Sequence, residues 1–161
     1  QPRIESEPLH IMDIPATSID AAGADYPSEF NGNKIKPIEG ESFLNLLSNK
    51  WSRKKPMYWE HEGNQGIRIG EWKLVKEYGG EWELYNMVDD RTELNNLAAK
   101  DTDRVNDMSS KWEKWAKNSN VLQWPVDPNV MAKRLEGEHS HIHQHRGATA
   151  SQIAEGKGKF L

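Results

Sequence analysis

Between Pro56 and Met87, short runs rich in aromatic and β-branched residues alternate with three glycine-containing turns, Gly63-Asn64, Gly70-Glu71 and Gly79-Gly80. This punctuation predicts four strands joined as an antiparallel meander. Successive side chains of a strand point to opposite faces. Trp72 and Leu74 therefore share one face and Lys73 and Val75 the other, while Trp82 and Leu84 oppose Glu83 and Tyr85. The apolar face needs cover, and the next periodic stretch supplies it. Val105, Met108, Trp112 and Trp115 recur at helical intervals of three and four, and Thr102 is positioned to cap that helix. A meander packed by one helix is an α+β unit.

The flanks are less regular. Leu9 to Met12 reads as extended, and a helix over about residues 14–22 follows, with Asp13 as N-cap, Pro15 in its first turn and Gly23 ending it. Residues 24–53 are rich in turn formers and predict loop, apart from a short helix at Ser42 to Leu47. Such a long connection is usually laid over another domain. Beyond Trp124-Pro125 the pattern dissolves, leaving a short helix at Asn129 to Leu135 and a mobile tail from Gly137 to Leu161.

Composition narrows the chemistry. The 161 residues include no cysteine, which excludes a disulfide framework, a thiolate zinc site and a cysteine nucleophile. A net charge of −4 argues against nucleic acid as a partner, since nucleic-acid-binding domains carry a Lys/Arg excess. The mean hydropathy is −0.89, and no apolar run approaches the roughly 20 residues that cross a bilayer, so no membrane role is expected. The chain opens on Gln1 without a signal peptide and reads as a piece of something longer.

A search for nucleophiles and metal motifs finds no G-x-S-x-G, no phosphate-cradling glycine loop and no H-E-x-x-H, since Glu60-His61-Glu62 lacks a second histidine. No catalytic residue and no metal ligand are therefore assigned within this chain. His61, between two acids at a strand end, could bind a hydroxyl-bearing or anionic ligand or relay a proton, or be a surface turn histidine. Asp89-Asp90 reads as a carboxylate pair or, more simply, a solvated turn. Arg68 could meet an acidic ligand, with a cross-strand ion pair to a glutamate as the simpler role. His139, His141, His143 and His145 alternate in the tail and would share one side of an extended segment, which could hold a divalent metal.

Three collinear strings, HIMDIPATSIDAAGADYP, NGNKIKPIEGESF and PMYWEHEGNQGIRIGEWKLVKEYGGEWELYNMVDDRTELNNLAAK, closely resemble the C-terminal part of type I, formylglycine-dependent arylsulfatases. The resemblance covers about residues 8–125. It implies an alkaline-phosphatase-like enzyme whose large α/β domain precedes a small subdomain of a four-stranded sheet and a C-terminal helix. On that basis residues 1–24 would be the last strand and helix of the large domain, 25–55 a connection, 56–125 the small subdomain and 126–161 a His-containing tail.

The family's C/S-x-P-x-R motif, whose first residue becomes formylglycine, has no counterpart in this sequence. The resemblance places that nucleophile, the calcium ligands and the sulfate-holding residues upstream. Calcium is then a cofactor of the full-length enzyme and not of this chain, which would be inactive alone. Its partners would be the N-terminal catalytic domain and a sulfated small molecule or glycan, in the periplasm or outside the cell. The loop WEHEGN, residues 59–64, is similar to one that reaches the cleft mouth, which makes His61 and Asn64 substrate-binding candidates. Arg68, Trp72, Lys73 and Leu74 match an R-x-G-x-W-K-L strand pair, expected to serve packing and interdomain contact, and Asp90, Glu93, Asn95 and Leu97 a D-x-x-E-x-N-x-L turn, expected to be structural. The alternative is a non-catalytic glycan- or partner-binding module with a metal-binding His tail.

Overall fold

The computed structural model describes residues 4–48 and 51–127. Residues 1–120 form one compact unit; of the second, 121–161, the seven residues described contain no helix or strand. The first unit runs α1 (Asp13–Ala21), β1 (Glu29–Phe30), β2 (Asn33–Lys34), a 3-10 turn (Leu44–Ser48), β3 (Met57–His61), β4 (Asn64–Ile69), β5 (Trp72–Lys76), β6 (Trp82–Asn86) and α2 (Thr102–Asn118).

The meander forms as its alternation predicts, an antiparallel sheet in the order β3-β4-β5-β6. Its first turn is Glu62-Gly63, one residue earlier than the expected Gly63-Asn64, and Asn64 instead pairs with His61 as the first residue of β4. A two-residue hairpin loop whose twist matches the strands needs positive φ at both positions, and Glu62 and Gly63 adopt +52° and +83°. The Glu60 carboxylate, accepting the Gly63 amide at 2.9 Å, holds that turn.

The register sets Tyr58, Ile67, Leu74 and Leu84 in one row across the four strands. Helix α2 lies against β4, β5 and β6. Ile67, Leu74 and Leu84 are wholly buried, and Met108, Trp112 and Ala116 are the buried residues of the helix. Trp115 stacks on Tyr58 at 5.0 Å and Trp112 meets Trp82 edge-on at 6.2 Å. The N-cap is Asp101, not Thr102, which is the first helical residue. The Asp101 carboxylate accepts the Arg104 backbone amide at 3.1 Å through one oxygen and its guanidinium at 2.8 Å through the other, adding a charge that a threonine hydroxyl lacks.

The N-terminal segment departs further from expectation. Leu9 to Met12 forms no strand; it ends in a turn that leads directly into α1. The Asp13 carboxylate causes this. It accepts the His10 amide at 2.7 Å, the Glu41 amide at 2.9 Å and a bond from the Arg53 guanidinium. Asp13 is therefore the first helical residue, with Met12 at the N-cap, rather than the cap itself. Both members of the Arg53 and Asp13 pair are buried, with the side chains 3% and 0% exposed. Gly40 closes the junction, because a Cβ there would lie 1.9 Å from the Met12 carbonyl oxygen. Gly23 ends α1 as predicted, in the left-handed region.

In the connecting stretch the expected helix at Ser42 to Leu47 is the 3-10 turn Leu44–Ser48, since the Ser42 hydroxyl is drawn to Asp20 at 2.5 Å. The hairpin β1–β2, turning at Asn31-Gly32, was not expected. The helix expected at Asn129 to Leu135, the mobile tail and its four alternating histidines lie outside the described residues.

Candidate functional site

The sheet's second face carries three rows across the strands. Met57, Arg68, Lys73 and Tyr85 form the first, Trp59, Gly66, Val75 and Glu83 the second, and His61 and Asn64 the third. A cavity of about 490 Å³ opens on this face, reaching from Arg68 and Lys73 past Trp59 to His61, with Pro8 and Leu9 on its rim.

His61 is exposed at the end of β3, and its imidazole meets no hydrogen-bond partner among the described residues. Asn64 is differently placed. Its amide nitrogen donates to the His61 carbonyl at 2.9 Å and its amide oxygen accepts the Tyr78 backbone amide at 3.0 Å. Asn64 thus ties the β3–β4 turn to the β5–β6 loop, with both ends of its amide engaged.

Arg68 does not form the expected ion pair among the described residues. Its register neighbours are Met57 and Lys73, neither of them acidic, and its Nε donates to the Gly70 carbonyl at 3.1 Å. Lys73 is the paired cation, 2.5 Å from Glu93. In the same row Tyr85 donates its hydroxyl to Glu83 at 2.6 Å, and that bond, with burial and nearby carboxylates, pushes the phenol up to about 12. Asp90 belongs to a turn: it accepts the Asn95 amide at 2.7 Å, and this bond, with others from the same loop, holds its carboxyl below the ordinary value. No group of three or more acids or histidines converges as a metal site among the described residues. The donor set for the calcium implied by the resemblance is thus not found there, and no step is derived through that ion.

One residue escaped the sequence reading. Trp59 lies 39% exposed beside His61, with its ring over Gly66, where a Cβ would stand 3.5 Å from the indole. The signal was available, since Trp59 and His61 are two apart in one strand and so share a face.

Residues 3–118 match the family described as N-sulphoglucosamine sulphohydrolase, C-terminal. The chain belongs to this sulfatase C-terminal family. Among curated relatives, an uncharacterized sulfatase of Schizosaccharomyces pombe is 30% identical over 132 residues, covering 77% of this chain. The N-acetylglucosamine-6-O-sulfatase of Bacteroides thetaiotaomicron is 31% identical over 96 residues, covering 55% of this chain. The chain spans only 24% and 17% of the length of these two proteins.

The fold of this sulfatase domain recurs in solved structures. Ps i-CgsB in complex with k-i-k-neocarrahexaose superposes with a TM-score of 0.61 at 22% identity, over 82% of this chain and 30% of that one. A 2-O GAG sulfatase superposes with a TM-score of 0.50 at 24% identity, over 73% of this chain and 27% of the other. Within the sulfatase domain the D-x-x-E-x-N-x-L turn acts structurally: Glu93 pairs with Lys73, Asp90 holds Asn95, and the Leu97 amide donates to the Leu84 carbonyl at 2.8 Å, covering the outer edge of β6. Trp72 carries the Arg104 guanidinium over its ring at 4.0 Å, joining β5 to α2.

Proposed function

We propose that this chain is the C-terminal domain of an enzyme that hydrolyses sulfate esters of a carbohydrate or aryl group, and that the β3–β4 hairpin lines its substrate cleft. The observation that carries this reading is the match of residues 3–118 to a sulfatase C-terminal family. A carbohydrate is favoured because one relative is named an N-acetylglucosamine-6-O-sulfatase and one structural neighbour holds neocarrahexaose. The geometry adds a reason for the hairpin. A sheet-anchored turn keeps a side chain at a defined place while leaving it open to a ligand, and the His61 imidazole is so held.

In this reading the nucleophile and calcium belong to a catalytic domain outside this chain, with calcium supplying electrostatic stabilisation to the sulfate when bound. The chain contributes His61 on the leaving-group side and turns over no aryl sulfate by itself. Periplasmic or secreted placement is part of the same proposal.

The test is release of inorganic sulfate by the full-length protein from a panel of sulfated sugars and aryl sulfates. His61→Ala should lower kcat/KM for the preferred sulfated sugar by about 1–3 kcal/mol, as for a lost polar contact, and affect a small aryl sulfate less. No sulfate release from any member of the panel overturns the enzymatic reading in favour of a non-catalytic module. Equal losses on sugar and aryl substrates, accompanied by a lower melting temperature, return His61 to a structural turn role.

A further inference from the structure

The cavity on the open sheet face is lined by the cations Arg68 and Lys73 and by His61, and by no aspartate or glutamate. This is unusual in a chain whose 25 acids outnumber its 21 lysines and arginines. The two cations are not equivalent. Lys73 is neutralised by Glu93 at 2.5 Å, whereas among the described residues the one side-chain bond of Arg68 runs from Nε to a carbonyl, so both terminal nitrogens of its fork remain open there.

Between Arg68 and His61 lies an apolar floor. Trp59 sits in the middle row, with the bare backbone of Gly66 beneath its ring and Val75 on the far side of that glycine. Trp112 of α2 donates its Nε1 hydrogen to the Trp59 carbonyl at 3.0 Å, which ties the backbone of β3 to the helix, and the His10 ring lies tilted beside the indole at 5.9 Å. Alternate residues of a strand stand roughly 7 Å apart, so the Arg68 row and the His61 row are roughly 13 Å apart with the indole midway. That spacing matches one pyranose ring on the indole with a charged substituent reaching the guanidinium.

We propose that this face is a binding subsite for an anionic sugar residue, with the Trp59 indole as its floor and the Arg68 guanidinium as its anion contact. The inference rests on the carbohydrate reading above and assigns it a place and two residues. The ring's apolar face stacks on the indole, and the planar guanidinium takes a sulfate or carboxylate through two parallel N–H bonds, which an ammonium cannot do. His61, at the other end of the floor, faces the part of the glycan that enters the cleft.

The experiment is calorimetric titration of the full-length protein with a sulfated disaccharide, its unsulfated counterpart and inorganic sulfate, alongside sulfate-release assays on the same preparations. The expected result is saturable binding of the sulfated disaccharide, at least tenfold tighter than either control. Trp59→Ala should weaken it at least tenfold and Trp59→Phe by less than threefold, since phenylalanine keeps an aromatic floor. Arg68→Gln should weaken it about tenfold and flatten its salt dependence, and Arg68→Lys should restore only part. Unchanged affinity in Trp59→Ala or Arg68→Gln at an unchanged melting temperature overturns the proposal, as does sulfate binding as tightly as the disaccharide. If Trp59→Ala unfolds, the Phe and Gln variants decide. Sulfate release with no effect of these variants on affinity removes the subsite and leaves the enzymatic reading standing; binding without sulfate release from any substrate does the reverse.

Discussion

The two faces of one four-stranded sheet are put to opposite uses. On the face under α2, Ile67, Leu74 and Leu84 are each 0% exposed and a helix with three buried side chains seals them. On the other face Met57 and Tyr85 are buried at one end, but Trp59 stays 39% exposed beside an arginine fork and an imidazole that meet no acid among the described residues. The strands are the same and the hydrogen-bonded ladder is shared, so the difference lies entirely in alternate side chains. The sealed face provides most of the apolar burial that stabilises the unit, while the second face keeps polar and aromatic groups that this chain does not cover among its described residues.

The sharpest way to break this comparison is to truncate neighbours on one strand. Leu74→Ala should cost about 2–5 kcal/mol in urea unfolding, because it opens a cavity under the helix, while Val75→Ala on the open face should cost about 1 kcal/mol or less. Equal losses would mean that the open face is as much a core as the sealed one. A second effect probes one group of the open face by pH. Tyr85 is pushed up to about 12 by its bond to Glu83. The folded chain therefore holds that proton more tightly than the unfolded chain. The associated stability is complete below pH ~10 and is lost as pH rises through about 12, an effect on the order of 1–3 kcal/mol. Tyr85→Phe should remove this alkaline component, read as the difference between wild-type and variant unfolding curves.

Trp112→Phe links the faces, since it keeps an aromatic ring under the sheet but deletes the hydrogen bond that steadies the Trp59 backbone. It should cost about 1–2 kcal/mol and raise amide exchange in β3 more than in β5. The smallest change is expected at the candidate site. His61→Ala should move folding stability by no more than about 0.5 kcal/mol, because the imidazole is exposed and makes no hydrogen bond among the described residues, so a loss of activity without a loss of stability would be a loss of binding.

Much of this was legible from local pattern. The alternation of Trp72, Lys73, Leu74 and Val75 assigned each to its observed face, and the spacing of Met108 and Trp112 identified the covering helix. What failed was local chemistry with more than one solution. Asp101 and Thr102 can both cap a helix, and the choice fell to the residue whose carboxylate also reaches the Arg104 guanidinium. Asp13 has the composition of a cap, yet its partner Arg53 lies 40 residues away. At the candidate site His61 stands out in the sequence by its flanking acids and its turn, Asn64 has both ends of its amide engaged, and Trp59 carries no signal beyond sharing a face with His61.

Local pattern was enough to say which residues could lie under a helix, because period two and period 3.6 are properties of the backbone and need no partner to be read. It also determined the family, since long collinear strings carry far more information than any single motif. Which polar groups are paired was settled by the packing of distant segments. Whether Arg68 meets a glutamate or a carbonyl depends on register across β3, β4 and β5, and whether Lys73 is neutralised depends on where the loop after β6 returns. Such pairings are made between residues distant in the chain and cost or release free energy only once the backbone brings them together. An open guanidinium beside an exposed indole is thus visible in three dimensions and silent in one.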